Sequence, residues 1–117
     1  MPTIRELVAA IRQRDGVEAA IVLGRDGLLI DGQAVTNLDA EGLAAYVPSI
    51  ITAADEFGAA SQRGPLVTGV FEHPRGLVVV SVLSPEAMLL VLVQPEANIG
   101  QLLFELRRNR EQMAALV

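Results

Sequence analysis

Asp39-Ala-Glu-Gly-Leu-Ala-Ala-Tyr-Val-Pro-Ser-Ile-Ile-Thr-Ala-Ala-Asp-Glu-Phe-Gly-Ala-Ala-Ser-Gln62 is the stretch on which the fold turns. It reads as one helix. Asp39 suits the N-cap, and Glu41 adds a carboxylate in the first turn, where the helix dipole favours it. Leu43, Val47, Ile50, Ile51, Ala54 and Phe57 make an apolar stripe at helical spacing, expected to face the core. The opposite face is unusual. No charged residue occurs from Gly42 to Ala54. Ala45, Ser49, Thr52 and Ala53 lie on that face, with Tyr46 between the two. A helix that is apolar almost all round is covered on both sides. In a chain of 117 residues the second cover is expected from another chain. A membrane span is disfavoured, because the uncharged run falls short of the roughly 20 residues a bilayer requires and Pro48 interrupts it.

Outward from this helix the chain divides cleanly. Residues 3–14 read as a first helix, with Thr3 and Glu6 in a capping-box pattern and Ile4, Leu7, Val8 and Ile11 on one stripe. Residues 17–24 and 28–33 read as a hairpin around Arg25-Asp26-Gly27, since Asp-Gly supplies the positive φ a tight turn needs. Asp31 and Gln33 suggest that the return strand is a sheet edge. After the central helix, residues 66–73, 77–83 and 87–93 read as a three-strand meander. The last two strands are apolar on both faces, as strands covered from both sides are. A final helix follows the Asn98 N-cap. Ile99, Leu102, Leu103, Leu106, Met113 and Leu116 face inward, and Glu105, Arg107, Arg108, Arg110 and Glu111 outward, with Arg107 and Glu111 as an i, i+4 pair.

The order is α-β-β-α-β-β-β-α in a single domain over residues 1–117. Two doubly buried strands require both sheet faces to be covered, and the terminal helices share one face most easily. That leaves the central helix alone on the other face, where one helix covers five strands poorly. A dimer pairing two central helices answers this deficit. Pro48 is expected to kink the central helix near Ala44–Val47, or to begin a second segment. Gly69, inside strand 66–73, marks either a bulge or the close approach of another backbone.

Composition narrows the function. Hydrophobic residues make up 51% of the chain, with Tyr46, Phe57, Phe71 and Phe104 its only aromatics, so the core is aliphatic. The net charge of −5 argues against non-specific nucleic-acid binding. No Cys is present and the basic residues are all Arg, which removes thiol nucleophiles, a phosphate-cradling lysine and Schiff-base chemistry. A single His argues against a His-based metal site. His73 reads as a solvated turn residue, and Asp26, Asp31 and Asp39 have turn, edge and cap roles. No catalytic set, cofactor or metal is expected. No apolar leader segment is visible, so a cytoplasmic location is the default.

Three stretches together resemble the roadblock/LC7 family. They are Asp15–Ile30 (Asp-Gly-Val-Glu-Ala-Ala-Ile-Val-Leu-Gly-Arg-Asp-Gly-Leu-Leu-Ile), the small-residue helix 39–62, and Leu89–Arg108, where a strand runs into the last helix. The resemblance implies an α+β fold with a five-stranded antiparallel sheet, the central helix on one face and the terminal helices on the other. It implies a homo- or heterodimer in which strands 66–73 pair edge to edge and the central helices lie side by side. The dimer interface would hold Ala45, Ser49, Thr52, Ala53 and Glu56 of the helix and Val67, Thr68, Gly69, Val70 and Phe71 of the strand. The resemblance also implies a non-enzymatic regulator or scaffold for a small Ras-like GTPase, similar to the bacterial gliding-motility regulator that stimulates its partner's GTP hydrolysis. Tyr46, Ser49, Thr52 and Arg63 would meet the GTPase. Arginines on the terminal helices (5, 12, 14, 107, 108 and 110) could act in trans, but a solvated helix face paired with Glu105 and Glu111 is the favoured reading, and Arg25 and Arg63 are equally weak candidates. The competing reading is a small-molecule sensor or general interaction module of the same layered architecture. A sensor would need an unfilled cavity between helix and sheet.

Overall fold

The computed structural model describes residues 2–117. Helix α1 (Ile4–Arg12) leads into β1 (Val17–Gly24) and β2 (Leu29–Ala34). Helix α2 (Ala40–Ala60) follows, then β3 (Thr68–His73), β4 (Gly76–Ser84) and β5 (Ala87–Val93), and finally α3 (Ile99–Arg108) and α4 (Arg110–Ala114). The strands form one antiparallel sheet in the order β2-β1-β5-β4-β3. The alternation of each strand sorts its side chains between two cores. Val79, Leu83, Leu89, Val91 and Val93 pack with α1, α3 and α4, while Val80, Met88 and Leu90 pack with α2. The expected layering is therefore observed.

Local chemistry accounts for the ends of the elements. The Glu6 amide donates to Thr3 Oγ1 at 3.2 Å, and the Gln101 amide to Asn98 Oδ1 at 3.1 Å, so two of the three expected caps form. Asp39 occupies the N-cap of α2, but its side chain makes no capping bond. The helix ends at Ala60, two residues before the expected limit, in a Schellman arrangement. Gln62 adopts φ 61°, its amide donates to Ala59 O at 3.2 Å, and the Arg63 amide donates to Gly58 O at 2.7 Å. Gly58 is required there, because a Cβ would lie 1.8 Å from Gly64 O.

Three expectations are corrected. Pro48 does not divide the central helix, which runs unbroken from Ala40 to Ala60. The tip of the β1–β2 hairpin packs at the proline instead: a Cβ on Gly27 would be 3.0 Å from Pro48 Cγ and 3.6 Å from Ala44 O, the carbonyl whose helical donor proline removes. The last helix breaks at Asn109, whose side-chain amide donates to Glu105 O at 3.0 Å. Arg107 and Glu111 therefore sit in different helices, and no ion pair joins them among the described residues. Finally, Arg110 turns inward rather than outward, and Glu105 pairs with Arg14 between α3 and α1.

Candidate interaction face

The core stripe of α2 is Ala44, Val47, Ile51 and Gly58. This lies one residue out of phase with the expected stripe. Of the residues assigned inward, Val47 and Ile51 are buried, Leu43, Ile50 and Ala54 are half-buried, and Phe57 is 75% exposed. Ala44 and Gly58 keep that stripe slim at two of its four positions, Gly58 lying against the Gly64 carbonyl. Bulkier side chains fall on a second line, Leu43, Tyr46, Ile50, Ala53 and Phe57, with Tyr46 74% exposed. Spacings of three and four give this line the form of a coiled-coil seam. Ala45, Ser49, Thr52 and Glu56 make a third, exposed line of small and polar groups. The named interface residues of α2 thus all lie outside its core stripe, spread over two lines rather than one.

The sheet beneath is half-covered. Helix α2 packs chiefly on β1 and β2, leaving Val78, Val82 and Leu92 only partly buried on the same face. Phe71 of β3 lies on this face opposite Val78 and is 40% exposed. Val67 precedes β3 and is exposed beside it. On the other face α1 packs against β1 and β2, and α4 against β4. On the α2 side the cover is short over β4, β5 and the edge strand.

Strand β3 is a regular, open edge. Each of the other three ladders carries a register shift, whereas β3–β4 carries none. Gly69 is therefore not a bulge; its open Cα surface is flanked by the Phe71 ring, 3.4 Å from where a Cβ would stand. The Val82 amide donates to Val67 O at 2.9 Å, which fixes the phase of the ladder. Antiparallel pairs alternate in bonding, so Gly69, Phe71 and His73 bond inward to β4. Thr68, Val70 and Glu72 direct their N–H and C=O groups outward, away from the sheet. Such a row is a template for another strand.

Two polar clusters tie this face together, and sequence reading missed both. Asp55, half-buried on α2, accepts from the Leu66 amide at 2.7 Å and from Arg25 Nη2 at 2.9 Å. It joins the helix, the hairpin tip and the entry to β3. Arg110 reaches from α4 to the β3 edge, where Nη2 donates to Thr68 Oγ1 at 2.9 Å and lies 3.5 Å from Ser81 Oγ. Ser81 is fully buried, and Arg110 Nε is buried with no hydrogen-bond partner among the described residues. Long-range pairings of this kind leave no periodic trace in sequence; the one signal was Ser81, a lone hydroxyl in an apolar strand.

Of the arginine candidates, Arg25 is held by Asp55 and by Pro85 O at 3.3 Å, Arg12 donates to Val17 O at 2.8 Å, and Arg14 is paired with Glu105. Arg63 is exposed beside the end of α2. His73 is an exposed strand-end residue. Among the described residues no group of three or more His, Asp or Glu could hold a metal ion, and no helix is long and apolar enough to cross a membrane. The interior between α2 and the sheet is filled by Ala19, Ile21, Leu23, Val80 and Met88. An apolar groove opens instead between α1 and α3–α4, lined by Leu7, Ile11, Leu102, Leu106 and Met113.

Comparison with known proteins agrees with this architecture. An uncharacterised protein of Methanocaldococcus jannaschii is 28% identical over 117 residues, covering 97% of this chain and 95% of its own. The solved Roadblock/LC7 domain from Streptomyces avermitilis superposes with a TM-score of 0.83 at 22% identity, covering 95% of this chain and 94% of that one. The gliding protein MglB from Thermus thermophilus superposes with a TM-score of 0.84 at 16% identity, covering 97% and 87%. Both structures match in fold. The Roadblock/LC7 domain model matches residues 3–93, most of the length, and the chain belongs to the Roadblock/LC7 domain family.

Proposed function

We propose that this protein is a homodimeric regulator or scaffold that binds a small Ras-like GTPase in the cytoplasm and is not itself an enzyme. The observation that carries the reading is the half-covered α2 side of the sheet, flanked by the seam of Leu43, Tyr46, Ile50, Ala53 and Phe57. A second α2 laid against this seam covers Val78, Val82 and Leu92, and the open β3 edge lies where a second β3 extends the sheet. Burying such apolar surface is the main driving force for stable association. The fold likeness to gliding protein MglB and the implications of the family resemblance support a GTPase as the further partner. The third line of α2, with Ser49 and Thr52, stays open in that dimer and, with Tyr46 and Arg63 at its borders, is the surface offered to it.

Light scattering at micromolar concentration, followed by GTP hydrolysis with the Ras-like GTPase encoded nearest to this chain, tests both halves. The expected results are a dimeric mass, no turnover by the chain alone, and binding to the GTPase with or without faster hydrolysis. A monomeric mass refutes the dimer. Intrinsic turnover refutes the non-enzyme reading, and failure to bind any nearby Ras-like GTPase refutes the choice of partner.

A further inference from the structure

Arg110 is the residue the isolated chain leaves incomplete. Its guanidinium lies at the β3 edge on the terminal-helix face, held by Thr68 Oγ1, with Nε buried and unpartnered. No carboxylate pairs with it among the described residues. Removing a charge from water without a counter-charge is costly. The same face of β3 carries Glu72, two pleats beyond Thr68, exposed and equally unpaired.

Resting on the dimer reading above, we infer that Glu72 of the partner subunit completes the Arg110 site, and that this pair sets the register of the joined sheets with Val70 on the two-fold axis. The register follows from the edge itself. Two α2 helices on the same side require an axis normal to the sheet, so each residue faces a partner residue pointing to the same side. With Val70 on the axis, Thr68 faces the partner's Glu72, and Val70 faces the partner's Val70. All three outward-facing residues then exchange backbone bonds. With Phe71 on the axis, Thr68 would instead face the partner's Pro74, which has no N–H. With Gly69 on the axis, Glu72 would face the partner's Leu66, outside the strand and already bonded through its amide to Asp55.

The side chains select the same register independently. Opposed residues of an antiparallel pair hold their Cβ atoms about 5 Å apart. The partner's Glu72 therefore stands beside Thr68, within reach of the guanidinium that Thr68 holds. On the α2 face the ring of Phe71 falls opposite the partner's Gly69, where the missing Cβ leaves room for it and the aromatic compensates the glycine. By symmetry the dimer holds two Arg110–Glu72 pairs, one on each side of the axis.

The chain contains no Cys, so single cysteines report the register directly. Gly69→Cys, Val70→Cys and Phe71→Cys are each oxidised and run without reductant. The expected result is a covalent dimer chiefly from Val70→Cys, because only that residue faces itself at a distance a disulfide can span. Separately, Glu72→Arg and Arg110→Glu should each weaken dimerisation about tenfold or more, and the double charge reversal should recover most of that loss. Glu72 is exposed, so its substitution spares folding, and Arg110→Gln serves if Arg110→Glu does not fold. A dimer that crosslinks chiefly through residue 69 or 71, or whose double reversal is no better than the single variants, overturns this register while leaving the dimer standing. A monomer overturns both readings.

Discussion

Asp55→Ala should destabilise the protein by about 2–3 kcal/mol, and nearly all of that loss should come from one backbone amide. Asp55 makes two contacts of different kinds. Its Oδ2 pairs with Arg25 Nη2 at 2.9 Å, where the two side chains are 28% and 48% exposed, and such a pair is worth only about 0.2–1 kcal/mol. Its Oδ1 accepts from the partly buried Leu66 amide at 2.7 Å, a charge-assisted bond worth about 1.5–3 kcal/mol. Deleting the carboxylate also orphans that amide, which has no helix or ladder partner because it lies between α2 and β3. Arg25→Ala removes the ion pair alone and should cost about 0.5 kcal/mol. Asp55→Asn keeps an acceptor for Leu66 and should fall between the two. For a domain of this size the melting point drops about 4 °C per kcal/mol, so thermal unfolding at fixed protomer concentration should show about 10 °C for Asp55→Ala and about 2 °C for Arg25→Ala. If Arg25→Ala costs as much as Asp55→Ala, the ion pair rather than the amide anchors β3, and the reasoning fails.

Gly58→Ala should destabilise by about 3 kcal/mol or more, since its Cβ would lie 1.8 Å from Gly64 O, whereas Gly64→Ala meets no atom and should cost only about 1 kcal/mol for its φ of +85°; urea titration of both variants checks the contrast. Phe57→Glu should reduce self-association by about 30-fold or more while the far-ultraviolet circular dichroism is kept, because a buried aromatic anchor is lost from an interface and not from a core; unchanged sedimentation would remove Phe57 from the seam. Ser49→Arg should weaken GTPase binding and leave the dimer mass unaltered, as Ser49 lies on the third line of α2; loss of the dimer would move that line into the self-interface.

The layering was legible in the sequence because it rests on local signals. Apolar runs bounded by turn residues at 17–24 and 87–93 give β1 and β5 with their observed limits, and Thr3 and Asn98 cap the helices they were expected to cap. One edge strand was legible too, since Asp31 and Gln33 mark the return strand β2, which stands at the end of the sheet. The fate of the charges was not. Arg110 and Glu105 look like solvated helix residues at their own positions, and only the fold brings Thr68 and Ser81 beneath the one and Arg14 beside the other. The break at Asn109 has the same origin. Its side chain competes for Glu105 O, a contact that helix periodicity does not register.

The phase of α2 shows why periodicity alone misplaced its core stripe. Apolar residues recur at 43, 46, 50, 53 and 57 and again at 44, 47, 51 and 58, two stripes one residue apart. Ranking by bulk sends Leu43, Ile50 and Phe57 to the core. The fold does the reverse: Ala44 and Gly58 keep the inner side slim at two of its four positions, and Gly58 lies against the Gly64 carbonyl. Tyr46 and Phe57 are thereby presented outward and exposed, while Leu43 and Ile50 are only half-buried. A surface helix selected only for solubility would place charge at 46, 50, 53 and 57, and none of these positions carries any. The absence of charge from Gly42 to Ala54 thus covers two distinct surfaces: a seam of large apolar groups suited to a second α2, and a line of Ala45, Ser49 and Thr52 too small to anchor a helix but shallow enough to admit the surface of a different protein.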